Sequence, residues 1–224
     1  RIEGDAVYLE YLPELETEYN FWMTGVKKLS QQNRTHRRVV LMDKGIVLNR
    51  YWDDKSTPRP ESYREDVATA HRAVKANSVT DPQEVYRDLR AAAESGWDFS
   101  SRWIRPDTAG EYHLHRIHTT DIIPVDLNAL LYNLEVTLAE AFLLLNDTLK
   151  AKQYNMAAVQ RKKALNYYCW NEEEEFFLDY DFRDNISVRV LSLAGTYPLF
   201  CELASEAQAE RVARKLQNRF LKEG

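Results

Sequence analysis

From Val125 to Leu145, the residues Leu127, Leu130, Leu131, Leu134, Leu138, Phe142 and Leu145 recur every three or four positions. That is the helical period, and an apolar stripe of this length has to be covered by other elements. A helix of about six turns needs neighbours of similar length, so this run limits the fold more than any other. Several neighbours are legible. Leu15, Tyr19, Trp22, Val26 and Leu29 predict a helix from Pro13 to about Leu29. Another is expected from about Leu149 to Tyr168. Asp81-Pro82-Gln83-Glu84 opens a third, with Asp81 as cap, Pro82 at the first position and Glu84 completing a capping box. Val85, Leu89 and Ala92 line its face, and Ser95-Gly96 should stop it. Ser205-Glu206-Ala207-Gln208 caps a last helix.

The β signals are few. Two β-rich runs flank Asp43-Lys44-Gly45, and a second hairpin over 176–188 turns at Arg183-Asp184-Asn185. Thr57-Pro58-Arg59-Pro60 is stiff and extended, because proline restricts itself and the residue before it. A loop is expected from Gly96 to Pro124. No linker and no fixed-period repeat divides the chain. The fold class is therefore all-α with one or two short β-hairpins, in a single domain over residues 1–224, as a helical toroid or a bundle.

Composition removes whole classes of function. The 224 residues are 44% hydrophobic, enough for a sizeable core. The net charge of −5 argues against nucleic acid, which demands a basic face. No apolar run reaches the roughly 18 residues of a membrane span. The start, Arg1-Ile2-Glu3-Gly4, is neither a signal peptide nor an initiator context, and reads as a trimmed end. Neither G-x-G-x-x-G nor G-x-x-x-x-G-K-[ST] occurs, so a nucleotide loop has no support. Cys169 and Cys201 read as buried free thiols. His113, His115 and His118 lack a metal-ligand register and read as a surface loop, and Glu172–Glu175 reads as solvated charge.

The chemistry is concentrated in loops. Gly96-Trp97-Asp98-Phe99 puts a carboxylate between two large aromatics. Partial dehydration would raise its pKa, as a general acid working near neutral pH requires; the plainer alternative is a helix-to-loop corner with buried aromatics. Gly96 lets the backbone turn sharply, and Ser100, Ser101 and Arg102 can order the loop. Arg59 and Glu61 offer a donor fork and an acceptor suited to sugar hydroxyls, or else an exposed salt bridge at a helix start. Glu65 and Asp66 read as solvated charge on the following helix. Trp52, Trp97 and Trp103 suit sugar stacking or the core. Asp126 and Asn128 open the helix after Pro124, where capping and dipole complementation account for at least one of them.

Several segments, in this order, resemble the trehalases of glycoside hydrolase family 37, especially bacterial ones. They are Tyr19-Asn20-Phe21-Trp22-Met23, Leu48-Asn49-Arg50-Tyr51-Trp52-Asp53, Pro58-Arg59-Pro60-Glu61-Ser62 and Val85-Tyr86-Arg87-Asp88-Leu89-Arg90. Ser95 to Trp103, Ile123-Pro124-Val125-Asp126-Leu127-Asn128 and Asp179-Tyr180-Asp181 follow. The resemblance implies part of an (α/α)6 toroid and hydrolysis of α,α-trehalose to two glucose molecules with inversion. It implies Asp98 as the general acid, with Arg59, Glu61 and Gly96 as substrate contacts. It implies no metal or organic cofactor, no nucleic acid or membrane partner, and a monomeric complete enzyme. The family's P-G-G-R-F, Q-W-D-x-P and Glu-Lys-Tyr segments are absent from these 224 residues. The expectation is therefore a central piece of the catalytic toroid, inactive alone, whose general base lies in a C-terminal part and whose helix faces are bare. Location is expected to be cytoplasmic, with the periplasm as the alternative. The competing readings are a non-catalytic trehalose-binding or helical interaction module, and an unrelated helical solenoid.

Overall fold

The computed structural model describes residues 6–221; the expectation on Arg1-Ile2-Glu3-Gly4 lies outside them. The chain begins with α1 (Ala6–Glu10) and α2 (Leu12–Met23), then β1 (Thr35–His36), β2 (Val39–Leu41) and β3 (Val47–Asn49). Two helices follow, α3 (Tyr63–Lys75) and α4 (Pro82–Glu94). Then come β4 (Ile104–Pro106), β5 (Tyr112–Ile117) and β6 (Ile122–Ile123). The long pair α5 (Val125–Leu144) and α6 (Thr148–Tyr168) leads to β7 (Trp170–Asn171), β8 (Phe176–Phe177), β9 (Asp179–Asp181) and β10 (Ile186–Val188). The chain closes with α7 (Tyr197–Phe200) and α8 (Glu206–Arg219).

The apolar stripe of α5 is covered in part: Leu127, Leu131, Leu138 and Phe142 are buried, Leu134 is half-buried, and Leu130 and Leu145 stay exposed. Asn146 turns the chain at φ 59°, and Asp147 caps α6 by accepting the Lys150 N–H. The two helices then pack along each other as a helical hairpin. By length and composition α5 would pass for a membrane span, with mean hydropathy 1.3, although no apolar run of that length stood out in the sequence. Half of it is buried in the fold, and its buried Asp126, Asn128 and Glu135 all bond within the protein. That is the pattern of a core helix.

Two boundaries differ from expectation. The first helix stops at Met23 rather than near Leu29, because Thr24 is extended and Gly25 has φ 97°. Gly25 also sits where a Cβ would run into the His36 ring. The presumed loop 96–124 holds the antiparallel hairpin β4–β5. Only Ile117 of β5 is buried, so this strand carries no apolar alternation to betray it. In all, the described residues hold four small sheets instead of one or two hairpins: β1-β2-β3, β10-β9-β6, β4-β5 and β7-β8.

Three apolar clusters make the core. One joins β2, β3, the end of α6, β8 and α7–α8; the second joins α3, α4, Trp103 and the first half of α5; the third joins α2 to the α5–α6 turn. Between them lies a buried polar layer centred on Arg161 of α6. Its guanidinium binds Glu135 at 2.9–3.0 Å and the side-chain oxygens of Asn49 and Asn128 at 3.0 and 2.8 Å. Large apolar side chains stay in water elsewhere, notably Leu143, Leu149, Tyr167 and Phe200.

Candidate active site

The loop after α4 is shaped residue by residue. Ser95 Oγ donates to the Ala92 carbonyl and accepts the Trp97 N–H at 3.1 Å. Gly96 then turns the chain at φ 72°, with open space around it, so the position demands backbone freedom and not room. Trp97 swings inward, and its Nε1 donates to Asp126 Oδ2 at 2.7 Å. Phe99 turns the other way, so that the Arg59 guanidinium lies 4.8 Å from its ring centre. Ser100 caps the short turn Ser101–Trp103 by accepting the Arg102 N–H.

Asp98 stands between these two anchored aromatics. Its side chain is exposed, and among the described residues it makes no hydrogen bond or ion pair. Here the structure differs from the dehydrated carboxylate expected from the sequence. The flanking rings are engaged elsewhere, Trp97 with Asp126 and Phe99 with Arg59, and the acid is left exposed.

Beneath the loop lies a buried charge cluster. Arg102, 1% exposed, holds Asp126 at 2.6 Å and Asp179 at 2.9 Å through Nη2, and Asp179 again through Nε. Asp179 also accepts the Val125 N–H at 2.9 Å. Burial by itself would lower the Arg102 pKa, but the contacts with Asp179 and Asp126 raise it. Arg102 packs over Trp103 and Trp97, at 4.3 and 5.0 Å from their ring centres. Trp103 is fully buried, which decides its role as core.

The helix-start expectation holds for Asp126 and not for Asn128. Asp126 does sit in the first turn of α5, where its charge suits the helix dipole. Its oxygens, however, serve Trp97 and Arg102. Asn128 caps nothing: its Oδ1 accepts the Asn49 N–H and its Nδ2 donates to the Asn49 carbonyl, pinning α5 to β3.

Beside the loop is a polar cavity of about 400 Å³, lined among others by Arg38, Asp53, Arg59, Glu61, Arg90 and Glu94. That falls in the usual range for small-molecule sites. The alternative reading, a salt bridge between Arg59 and Glu61, is not formed among the described residues. Arg59 instead gives its backbone N–H and Nε to Asp66 Oδ2 at 2.8 and 3.0 Å, and Nη2 to Oδ1 at 2.7 Å. Asp66, read from sequence as solvated, is 1% exposed and locks Arg59 in place. Hydrogen bonding to Asp66 raises the Arg59 pKa. Glu61, on the turn Pro60–Ser62, is exposed at the cavity edge.

Four cavity residues escaped the sequence reading. Glu94 accepts Arg38 Nη2 at 3.0 Å and the Trp52 N–H at 2.9 Å, and burial raises its pKa. Arg90 Nε donates to Asp53 at 2.9 Å. Asp53 and Arg90 both stand in segments that carry the family resemblance; only their pairing across 37 residues was invisible. Trp52 is not free for a sugar ring, since it lies against the guanidiniums of Arg50 and Arg87. His113 and His115 stack on each other, whereas His118 is buried with Nδ1 3.3 Å from Asp181, not on a surface loop. No group of three or more His, Cys, Asp or Glu able to hold a metal occurs among the described residues. Both cysteines are buried and unbridged.

Comparison with known proteins gives the family and the fold. The Trehalase family matches over residues 1–224. The periplasmic trehalase of Salmonella agona is 47% identical over 222 residues, 99% of this chain and 37% of that protein. A putative periplasmic trehalase of Salmonella typhi matches to the same extent. The solved neutral trehalase of Saccharomyces cerevisiae covers 97% of this chain and 40% of its own, at a TM-score of 0.65 and 21% identity. That likeness gives the fold as part of an (α/α)6 toroid, as the resemblance implied. The chain spans 37% of the length of the Salmonella relatives.

Proposed function

The chain belongs to the Trehalase family, and from that premise we propose that it is the acid-bearing part of a monomeric enzyme that hydrolyses α,α-trehalose. Asp98 is the general acid. It delivers its proton to the glycosidic oxygen as the C1–O bond breaks. Water attacks C1 from the opposite face, and a carboxylate base takes its proton. In an inverting enzyme that base stands about 6.5–9.5 Å from the acid. It belongs to the part of the relatives' length beyond these 224 residues, so the 224 residues form one catalytic domain with that part and do not turn over alone. Arg59 and Glu61 bind sugar hydroxyls, and Gly96 lets the backbone beside the acid approach the substrate.

One observation carries this reading. The Asp98 loop is anchored on both flanks, and its Phe99 flank rests under Arg59, which lines the polar cavity together with Glu61. A remnant that only bound trehalose would have little use for an acid held out between two anchors.

In the complete enzyme, Asp98→Asn is expected to lower kcat on trehalose by roughly 10²–10⁴-fold. Proton NMR at early times should show one β-glucose formed with each α-glucose. Two α-glucoses would overturn inversion, and an unchanged rate would overturn the role of Asp98. The Salmonella relatives are named periplasmic, so they favour the periplasm over the cytoplasmic expectation. Fractionation of the source cells should find the enzyme in the periplasm.

A further inference from the structure

Among the described residues, the loop of residues 95–100 has a single hydrogen bond to a distant part of the chain. Every other hydrogen bond that residues 95–100 make among the described residues runs to a position within four of its partner. The exception joins Trp97 Nε1 to Asp126 Oδ2 across 29 residues, at 2.7 Å. Asp126 is itself buried and bonded on more than one side. It is 2% exposed, sits on the first turn of α5, and is gripped by Arg102, whose other edge holds Asp179. Charge-assisted bonds of this kind are short and directional, and burial strengthens them. The cluster therefore ties the residue preceding Asp98 to the longest rigid pair in the fold.

Resting on the reading of Asp98 as the acid, we propose that Trp97, Asp126 and Arg102 are positioning residues for it. The indole–carboxylate bond sets the direction in which Asp98 points. The Phe99–Arg59 contact steadies the other flank. None of the three positioning residues meets the reacting atoms; each acts through the backbone of the loop. The exposure of Asp98 makes this more telling, because no bond to the carboxylate itself fixes its direction. A misplacement near 1 Å at a reacting group costs about 10²-fold in rate.

The test separates aim from folding. In the complete enzyme, Trp97→Phe keeps the aromatic bulk and removes the N–H. Two substrates are compared: trehalose, whose leaving alcohol needs the proton, and α-glucosyl fluoride, whose fluoride departs with little protonation. The expected result is a kcat on trehalose lower by about 10- to 100-fold with KM within about twofold, and a loss of less than about threefold on the fluoride. Equal losses on both substrates, or an unchanged kcat on trehalose, would overturn the inference. A wild-type enzyme inactive on both would instead overturn the proposed function. Should the phenylalanine variant fail to fold, replacing the Trp97 indole by benzothiophene keeps the ring shape without the donor. The same two readouts then decide.

Discussion

Asp88 offers a stability test whose sign changes nothing at low pH and much above neutrality. It lies on the inner face of α4, 8% exposed, and accepts the Thr120 N–H at 2.7 Å. Burial pushes its pKa from 3.8 up to about 7, against the bonds from Thr120. The folded pKa is thus above the unfolded one. Between pH 3.8 and about 7 the native state holds a proton that the unfolded chain has released, so stability falls as pH rises through that window. Below the window the cost vanishes; above it the cost is complete. Moving a pKa from 3.8 to about 7 corresponds to about 4 kcal/mol. Asp88→Asn keeps the shape and the carbonyl acceptor but cannot ionise. Urea unfolding of the complete protein, wild type and variant, at pH 4, 6 and 8 is the assay. The two should agree within about 1 kcal/mol at pH 4, and the variant should be more stable by about 4 kcal/mol at pH 8. A difference that stays constant across pH, or an asparagine variant that is weaker at pH 8, would refute the reasoning. The site has a stake in this, since Asp88 holds the turn Thr119–Asp121 that leads into β6 and α5.

Two further outcomes follow from packing. Arg161→Met leaves Glu135, 1% exposed, as an unpaired buried charge and should cost about 3–5 kcal/mol in urea unfolding, whereas adding Glu135→Leu should recover much of that; a double variant as weak as the single would count against the account. Gly195→Ala drives a methyl group into the Phe176 ring and the Phe177 carbonyl and should cost about 1–3 kcal/mol, read as a lowered melting temperature.

Local signals were legible wherever neighbours in sequence settle the structure. The stripe of α5, the Asp81 cap of α4, the Ser205–Gln208 capping box of α8 and the turn at Asn185 each involve residues within a few positions of one another. The polar framework of the site escaped for the opposite reason. Arg102 meets Asp126 across 24 residues and Asp179 across 77, and Arg161 meets Asn49 across 112. Nothing local distinguishes such a charge from a solvated one. Asp66 shows the hazard at short range: seven residues from Arg59, it passed for surface charge because the bend that faces the two together comes from the proline-bound segment and the turn Pro60–Ser62.

The exposure of Asp98 fits the same division. A general acid needs both a fixed direction and a poorly solvated setting. Direction comes from within the chain: Gly96 turns the backbone, Trp97 is tied to Asp126, and Phe99 rests under Arg59. Dehydration does not, since both aromatics are used as anchors and Asp98 stays exposed. On the proposed reading it has to come from groups that cover the loop, which are the substrate itself and the part of the toroid beyond the 37% of the relatives' length spanned here. The spacing Gly-Trp-Asp-Phe suggests a dehydrated carboxylate, and the structure shows an exposed one. On the proposed reading the two anchored aromatics aim the carboxylate, and the groups that close over the loop take it out of water.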